Sequence, residues 1–254
     1  MIRGIESFRK WFQGCEEQYV IIGGTACDLL MTNEGLDFRA TKDIDLVLVI
    51  EALDVSFGKR FWEYIVAAGY EHRNKSTEAY QFYRFSKPQL QEYPAMIELF
   101  TRKPDTIILP RNAILTPLPL DENISSLSAI LLDDDYYNFL MQGRTKVAGV
   151  TVLDVTHLIA FKAKAWLELS ERNVACGDVD SRDIKKHKND VFRLTELLYP
   201  DQEPLRNVPL TVLKDMRTFL EKMETEDVDL IKLRIPNKTK DTILEELRSL
   251  YGLD

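Results

Sequence analysis

Two short stretches carry residue types and spacings that can do chemistry, Gly23-Gly24-Thr25-Ala26 and Asp43-Ile44-Asp45. On a β-strand, residues two apart share a face, so Asp43 and Asp45 point one way and Ile44 the other. Their Cα atoms would lie roughly 7 Å apart at about 3.3 Å per residue. Like charges that close repel unless a cation sits between them. Hard carboxylate oxygens on a rigid element suit Mg²⁺, which takes one or two protein carboxylates and completes its shell with water and phosphate oxygens. The glycine pair offers the complementary chemistry. Gly23 and Gly24 can take positive φ and let a ligand approach the main chain. A helix leaving that turn aims free N–H groups and its positive dipole end at an anion. Thr25 adds a hydroxyl. Together the stretches read as a phosphate cradle facing a metal site. Alone, each has a plainer reading: a tight strand-to-helix connection for Gly-Gly, and two solvated acids at a strand mouth for Asp-x-Asp.

The elements that must position these residues follow from periodicity. Tyr19 to Ile22 is a short run rich in β-branched residues that stops at glycine, as a buried strand does. Ala26 to Met31 has the apolar spacing of a helix, Asn33 to Ala40 reads as a polar loop, and Leu46 to Ile50 continues a second buried strand. Arg39 and Thr41 lie just upstream of the acids, where a guanidinium either holds a phosphate or pairs with Asp43 or Asp45. Residues 2–13 read as an amphipathic helix with Ile5, Phe8, Trp11 and Phe12 on one side. Asp54 is placed to cap a helix running to Gly69, with Phe57, Phe61, Ile65 and Val66 as its buried face. Tyr80 to Phe85 alternates as a strand. Pro94 to Phe100 is an apolar strand interrupted by Glu98, where burial of an unpaired carboxylate is costly. That acid is either functional or held in a structural salt bridge.

Further along, Pro104 to Asp121 holds four prolines and reads as an extended passage. Ser126 to Leu132 reads as a strand. Asp133-Asp134-Asp135 then caps a helix from Tyr136 to Met141, since successive acids at a helix start point in different directions and favour the dipole. Val147 to Leu153 is β-prone, a strand or hairpin edge. From a soft boundary at Val150 the pattern turns helical, which divides the chain into 1–150 and 151–254. Thr156 to Glu171 carries Leu158, Ile159, Phe161, Ala165, Trp166 and Leu169, and Lys162 lies on or beside that stripe, so its ammonium must snorkel or find an anion. In the following helix Asp183, His187 and Asp190 share a face by their spacing, and Val191, Leu194 and Leu198 give a core side. One histidine beside two aspartates does not make a zinc site; structural hydrogen bonding accounts for it. Arg182, Lys185, Lys186 and Lys188 form a solvated face or guide a triphosphate or an RNA. Helices near Val208 to Met223 and Thr239 to Tyr251 read as packing elements.

Composition bounds the class. The formal net charge of −8 over 254 residues argues against a surface that coats nucleic acid, while leaving room for a local basic groove. Cys15, Cys27 and Cys176 are few and scattered, as in a reducing cytosol. No apolar signal core opens the chain and no run is long enough to span a bilayer, so the reading is cytoplasmic with no membrane partner.

Gly23-Gly24-Thr25-Ala26, followed by Arg39-x-Thr41-x-Asp43-Ile44-Asp45-Leu46, resembles the signature of the polymerase-β-like nucleotidyltransferase superfamily. The long glycine-to-aspartate spacing and the Arg-x-Thr lead-in most resemble the AbiEii-type nucleotidyltransferases of type IV toxin–antitoxin systems. The resemblance covers the chain through Phe100 and again near residues 155–195. It implies an α/β (α+β) fold in which a mixed sheet is flanked by helices, followed by a helical C-terminal domain completing the active-site cleft. It further implies a nucleoside triphosphate substrate and two Mg²⁺ ions, with Gly23, Gly24, Thr25, Arg39 and Thr41 on the nucleotide. Asp43, Asp45 and Glu98 become metal ligands and catalytic carboxylates, Glu98 acting as the base where the family more often has Asp; Asp105 is a second candidate. Lys162, or less well aligned Lys164, matches a lysine implied to contact the nucleotide, and Asp190 matches the aspartate closing the second cluster. Lys186 and His187 depart from the commoner form there. The implied activity is Mg²⁺-dependent transfer of a nucleoside monophosphate to an acceptor hydroxyl. RNA such as a tRNA 3′ end would be the acceptor, and an antitoxin the protein partner. A small-molecule nucleotidyltransferase like the antibiotic-inactivating relatives, and a non-catalytic nucleotide-binding protein, are the two other readings.

Overall fold

A computed structural model of the chain describes residues 2–49, 51–71, 82–100, 133–177, 179–199 and 202–253. The expected strand Ser126 to Leu132, the proline-rich passage and Asp105 lie outside the described residues. The chain divides into two units, one of residues 1–124 and 144–153, the other of residues 125–143 and 154–254.

The first unit is built on a mixed six-stranded sheet in the order β3-β4-β2-β1-β6-β5. Its strands are β1 (Tyr19–Ile22), β2 (Asp43–Leu48), β3 (Phe82–Ser86), β4 (Met96–Phe100), β5 (Arg144–Val147) and β6 (Val150–Leu153). Helices α1 (Ile5–Trp11), α2 (Gly23–Asn33) and α3 (Val55–Ala68) belong to the same unit. All four residues of β1 are buried, as its apolar run requires of a strand covered on both faces. It pairs antiparallel with β2 and parallel with β6. Beyond it, β2 pairs parallel with β4, and the outer strands β3 and β5 run antiparallel to their neighbours. The expected α/β class with a mixed sheet and flanking helices is the architecture observed.

Local sequence sets the ends of these elements. Asp54 caps α3 by accepting from the Phe57 N–H at 2.7 Å, and Gly69 closes it at φ 66°. Phe57, Phe61 and Ile65 are buried as expected, but Val66 is 56% exposed. At 100° per residue Val66 rotates off the stripe that runs through positions 57, 61, 64, 65 and 68. Phe12 meets Tyr64 edge-on at 5.3 Å and Phe8 meets Tyr19 at 5.3 Å, so α1 and α3 share an aromatic core with β1. The β-prone run after Gly143 forms the β5–β6 hairpin through Ala148 (φ 50°) and Gly149 (φ 80°), the paired positive dihedrals of a tight hairpin turn. Of the hairpin's two strands β5 is an edge of the sheet and β6 is not: β6 lies between β1 and β5, and Val150, where the helical pattern is expected to take over, opens it.

The second unit is helical among its described residues: α4 (Asp134–Gln142), α5 (Val155–Cys176), α6 (Ser181–Leu194), α7 (Leu210–Thr225) and α8 (Lys240–Tyr251). Asp133 caps α4 by accepting from the Asp135 and Tyr136 N–H groups, so the acidic triplet does serve a helix start. The core includes Phe161 against Tyr136 and Trp166 against Phe219. Among the described residues no helix is long and apolar enough to cross a membrane.

Candidate active site

Along β2 the alternation is as the strand period demands: Ile44 is fully buried, while Asp43 and Asp45 are half-buried on the opposite face. In the β1–β2 pairing Ile22 stands opposite Asp45, so the chain leaves β1 directly beside that carboxylate. A Cβ at Gly23 would fall 1.7 Å from Asp45 Oδ2 and 2.7 Å from its Cγ, and Gly23 holds φ at 67°. Both the space and the backbone angle therefore demand glycine. The glycines do not form a turn ahead of a helix starting at Ala26. They are its first residues, since α2 begins at Gly23. A Cβ on Gly24 would lie 3.0 Å from Thr41 Cγ2 and 3.1 Å from Arg39 Nη2, so both side chains lie over the first turn of α2.

The two threonines serve the scaffold. Thr25 is fully buried and its Oγ1 donates to the Asp43 carbonyl at 2.6 Å, tying the helix start to the strand that carries the acids. Its hydroxyl is thus occupied away from any phosphate, contrary to the expectation that it binds one. Thr41 Oγ1 donates to Asp28 Oδ2 at 3.4 Å, and Asp28, 7% exposed, also accepts from Thr32 at 3.2 Å. Sequence reasoning does not single out Asp28, although an acid inside the apolar run Ala26 to Met31 is the available signal.

Glu98 stands directly opposite Asp45 in the parallel β2–β4 register, and Arg84 directly opposite Glu98 in the β3–β4 register. Opposed residues project to one face, so Asp45, Glu98 and Arg84 form a charged row across three adjacent strands. The neighbouring row Ile44, Ile97, Phe85 is fully buried on the other face. Glu98 is 5% exposed, and its Oε1 accepts from Arg84 Nε at 2.8 Å and lies 2.6 Å from Nη2. The acid is therefore both adjacent to the Asp pair and salt-bridged. Arg84 escapes sequence reasoning because nothing in the run Tyr80 to Phe85 names its cross-strand partner.

Asp43 and Asp45 fit a hard divalent cation by donor chemistry, by their shared face and by the space that Gly23 leaves for the Asp45 carboxylate. The fit does not extend to the expected set of three. Among the described residues no group of three or more His, Cys, Asp or Glu is arranged to hold a metal ion, and Glu98 is engaged by Arg84.

In the second unit, Lys162 finds its anion inside the protein. Its Nζ donates to Asp190 Oδ2 at 2.8 Å, with the two residues only 1% and 2% exposed. A pair so enclosed links α5 to α6 and leaves neither group facing a nucleotide, contrary to the expectation for both. Asp183, His187 and Asp190 lie along one face of α6 as their spacing requires, but burial changes along it: Asp183 near the helix start is exposed, while His187 (7%) and Asp190 are buried. Lys186 pairs with Asp183 at 3.1 Å near the helix start. Lys188, expected on a solvated face, is buried and donates to Glu226 at 2.6 Å and to the Asp227 carbonyl at 2.9 Å. Lys164 pairs with Asp215 at 3.1 Å, and the Tyr136 hydroxyl donates to the same carboxylate at 3.0 Å. Burial and the nearby Asp215 charge push Glu168 up to about 7 against the pull of Lys164. Compared with protein-family models and with curated proteins, the chain matches none.

Proposed function

We propose that the first unit carries a nucleotidyl-transfer site, which moves a nucleoside monophosphate from a nucleoside triphosphate to an acceptor hydroxyl. The observation that carries this reading is the contact between Gly23 and Asp45: the Asp45 carboxylate lies 1.7 Å from where a Cβ would be. A glycine whose missing side chain is replaced by a half-buried carboxylate, at the first residue of a helix, brings oxygen ligands and backbone N–H donors to one place. Neither of the plainer readings, a tight connection or a pair of solvated acids, calls for that coincidence.

In this reading Asp43 and Asp45 hold Mg²⁺, which when bound supplies charge neutralisation to the triphosphate. The N–H groups at the start of α2 donate to phosphate oxygens, and the positive end of the helix offsets their charge. Arg39, over Gly24, adds a guanidinium suited to a bidentate phosphate contact. Thr25 holds α2 against β2 so that donors and carboxylates keep one geometry. Glu98 takes the proton of the acceptor hydroxyl at its carboxylate as that oxygen bonds to the α-phosphorus, and the bond to the bridging oxygen breaks to release pyrophosphate. Positioning and charge stabilisation account for the rate, with no covalent enzyme intermediate required.

The resemblance to AbiEii-type toxins extends the proposal to RNA as acceptor, a tRNA 3′ end in particular, and to an antitoxin as partner. The test is Mg²⁺-dependent incorporation of each labelled triphosphate into total tRNA and into a panel of small hydroxylated acceptors. Asp43→Ala and Asp45→Ala should abolish incorporation while circular dichroism stays that of the parent. Undiminished turnover in both variants removes the reading.

A further inference from the structure

We infer that Arg84 is a positioning residue which holds Glu98 on the β3 side of the sheet, so that the ion at this site takes its carboxylate ligands from Asp43 and Asp45 and not from Glu98. The inference rests on the nucleotidyl-transfer reading and deepens it by naming the residue that keeps Glu98 out of the ligand set.

The register makes the argument. Asp45 and Glu98 sit opposite one another on adjacent strands, which are about 4.8 Å apart, so their carboxylates project from one face and repel. Two arrangements relieve that repulsion. A cation can lie between the acids, or one acid can be drawn aside by a cation on its far flank. Arg84 provides the second. It occupies the next position in the same row, on the strand beyond Glu98, and both Nε and Nη2 converge on Oε1 at 2.8 and 2.6 Å. Charge-assisted pairing of this kind is short and strong. It is also enclosed: the Glu98 side chain is 7% exposed and the Arg84 side chain 28%. Swinging the Glu98 carboxylate toward an ion beside Asp45 would pull Oε1 off both guanidinium contacts at a half-buried place, where breaking an ion pair is costly. Asp43 and Asp45 lie half-buried on the same strand face, beside the glycine cradle. Arg84 itself is fixed by its strand, because Phe85 is fully buried on the opposite face and sets the alternation.

The experiment is titration with Mn²⁺ alone, as a probe for the Mg²⁺ site, followed by calorimetry and by the Mn²⁺ electron paramagnetic resonance signal, with folding checked by thermal melts. Wild type, Asp45→Asn, Glu98→Gln, Arg84→Lys and Arg84→Gln are compared. The amide oxygen in Glu98→Gln can still accept from Arg84, so that variant keeps the row packed. Expected is a loss of about tenfold or more in affinity for Asp45→Asn, in the range seen when metal-site groups are altered. Glu98→Gln and Arg84→Lys should stay within about threefold of wild type, and a folded Arg84→Gln should bind more tightly, because an extra carboxylate raises the ligand charge. If Arg84→Gln does not fold, Glu98→Gln decides the matter. Weakening by Glu98→Gln equal to that of Asp45→Asn overturns the inference and leaves nucleotidyl transfer standing. Wild type and Asp45→Asn binding Mn²⁺ equally, or not at all, overturns both.

Discussion

Gly23→Ala isolates the contact that the functional proposal depends on. The new methyl carbon would lie 1.7 Å from Asp45 Oδ2 and 2.7 Å from Cγ, and Gly23 has φ of 67°. An alanine in left-handed backbone costs roughly 1–2 kcal/mol. The clash adds about 1–3 kcal/mol unless the carboxylate swings away. Since the obstructing atoms are the end of a side chain, Asp45 moves, and the cost shifts from stability to function. The expected result is a melting temperature lowered by roughly 4–12 °C, from about 2–3 kcal/mol at 2–4 °C per kcal/mol for a chain of this size, together with loss of Mn²⁺ affinity comparable to Asp45→Asn. Gly24→Ala is the matched control. It meets Thr41 and Arg39 at 3.0–3.1 Å without a positive φ, and alanine gains up to about 1 kcal/mol over glycine in a helix. That variant should melt at or near the wild-type temperature, bind Mn²⁺ normally and lose triphosphate affinity as Arg39 shifts. Thermal denaturation and titration calorimetry read all three quantities. A Gly23→Ala protein with wild-type melting and wild-type Mn²⁺ binding would refute the geometry.

Two more outcomes follow from the second unit. Lys162→Met or Asp190→Asn alone should cost about 3–5 kcal/mol in urea unfolding, because each strands a buried partner. The double variant Lys162→Met/Asp190→Leu should recover much of that loss, and an additive loss would contradict the pairing. Glu168 is held up at about 7 in the folded chain, chiefly by burial, against an ordinary value of 4.5. The folded state therefore binds the extra proton between those values. Stability is greatest below pH 4.5 as far as this group is concerned and declines as pH rises toward 7. The loss is up to about 3 kcal/mol at 1.36 kcal/mol per unit, reduced by the 27% exposure of the side chain. Melting curves at pH values from about 5 to 8, spanning the ordinary and raised values, should show that decline in wild type and a flatter profile in Glu168→Gln.

What the sequence discloses is what depends on neighbours along the chain. The Asp54 and Asp133 caps, the closing glycine at 69 and the two-residue period of Asp43-Ile44-Asp45 are local rules, and each appears as expected. Where partners come from afar, local rules stop short. The periodicity of α5 says that the Lys162 ammonium needs an anion, and only the packing of α6 says that the anion is Asp190. Glu98 is too costly to bury alone, and only strand pairing supplies Arg84 as its neighbour. Thr25 reads as available because its position beside the glycines is visible, whereas the Asp43 carbonyl that accepts its hydrogen bond is a backbone atom without a sequence signature.

The hairpin at residues 144–153 has a consequence for synthesis. β1 is made early, yet one of its two flanks, β6, is not translated until residues 150–153. Until then β1, one of the two central strands of the sheet, has one side that is an open rim of unpaired amides and carbonyls. A fragment ending before Arg144 would keep the glycines and all three acids while presenting that rim to other chains, so its fate would be self-association rather than a smaller folded unit.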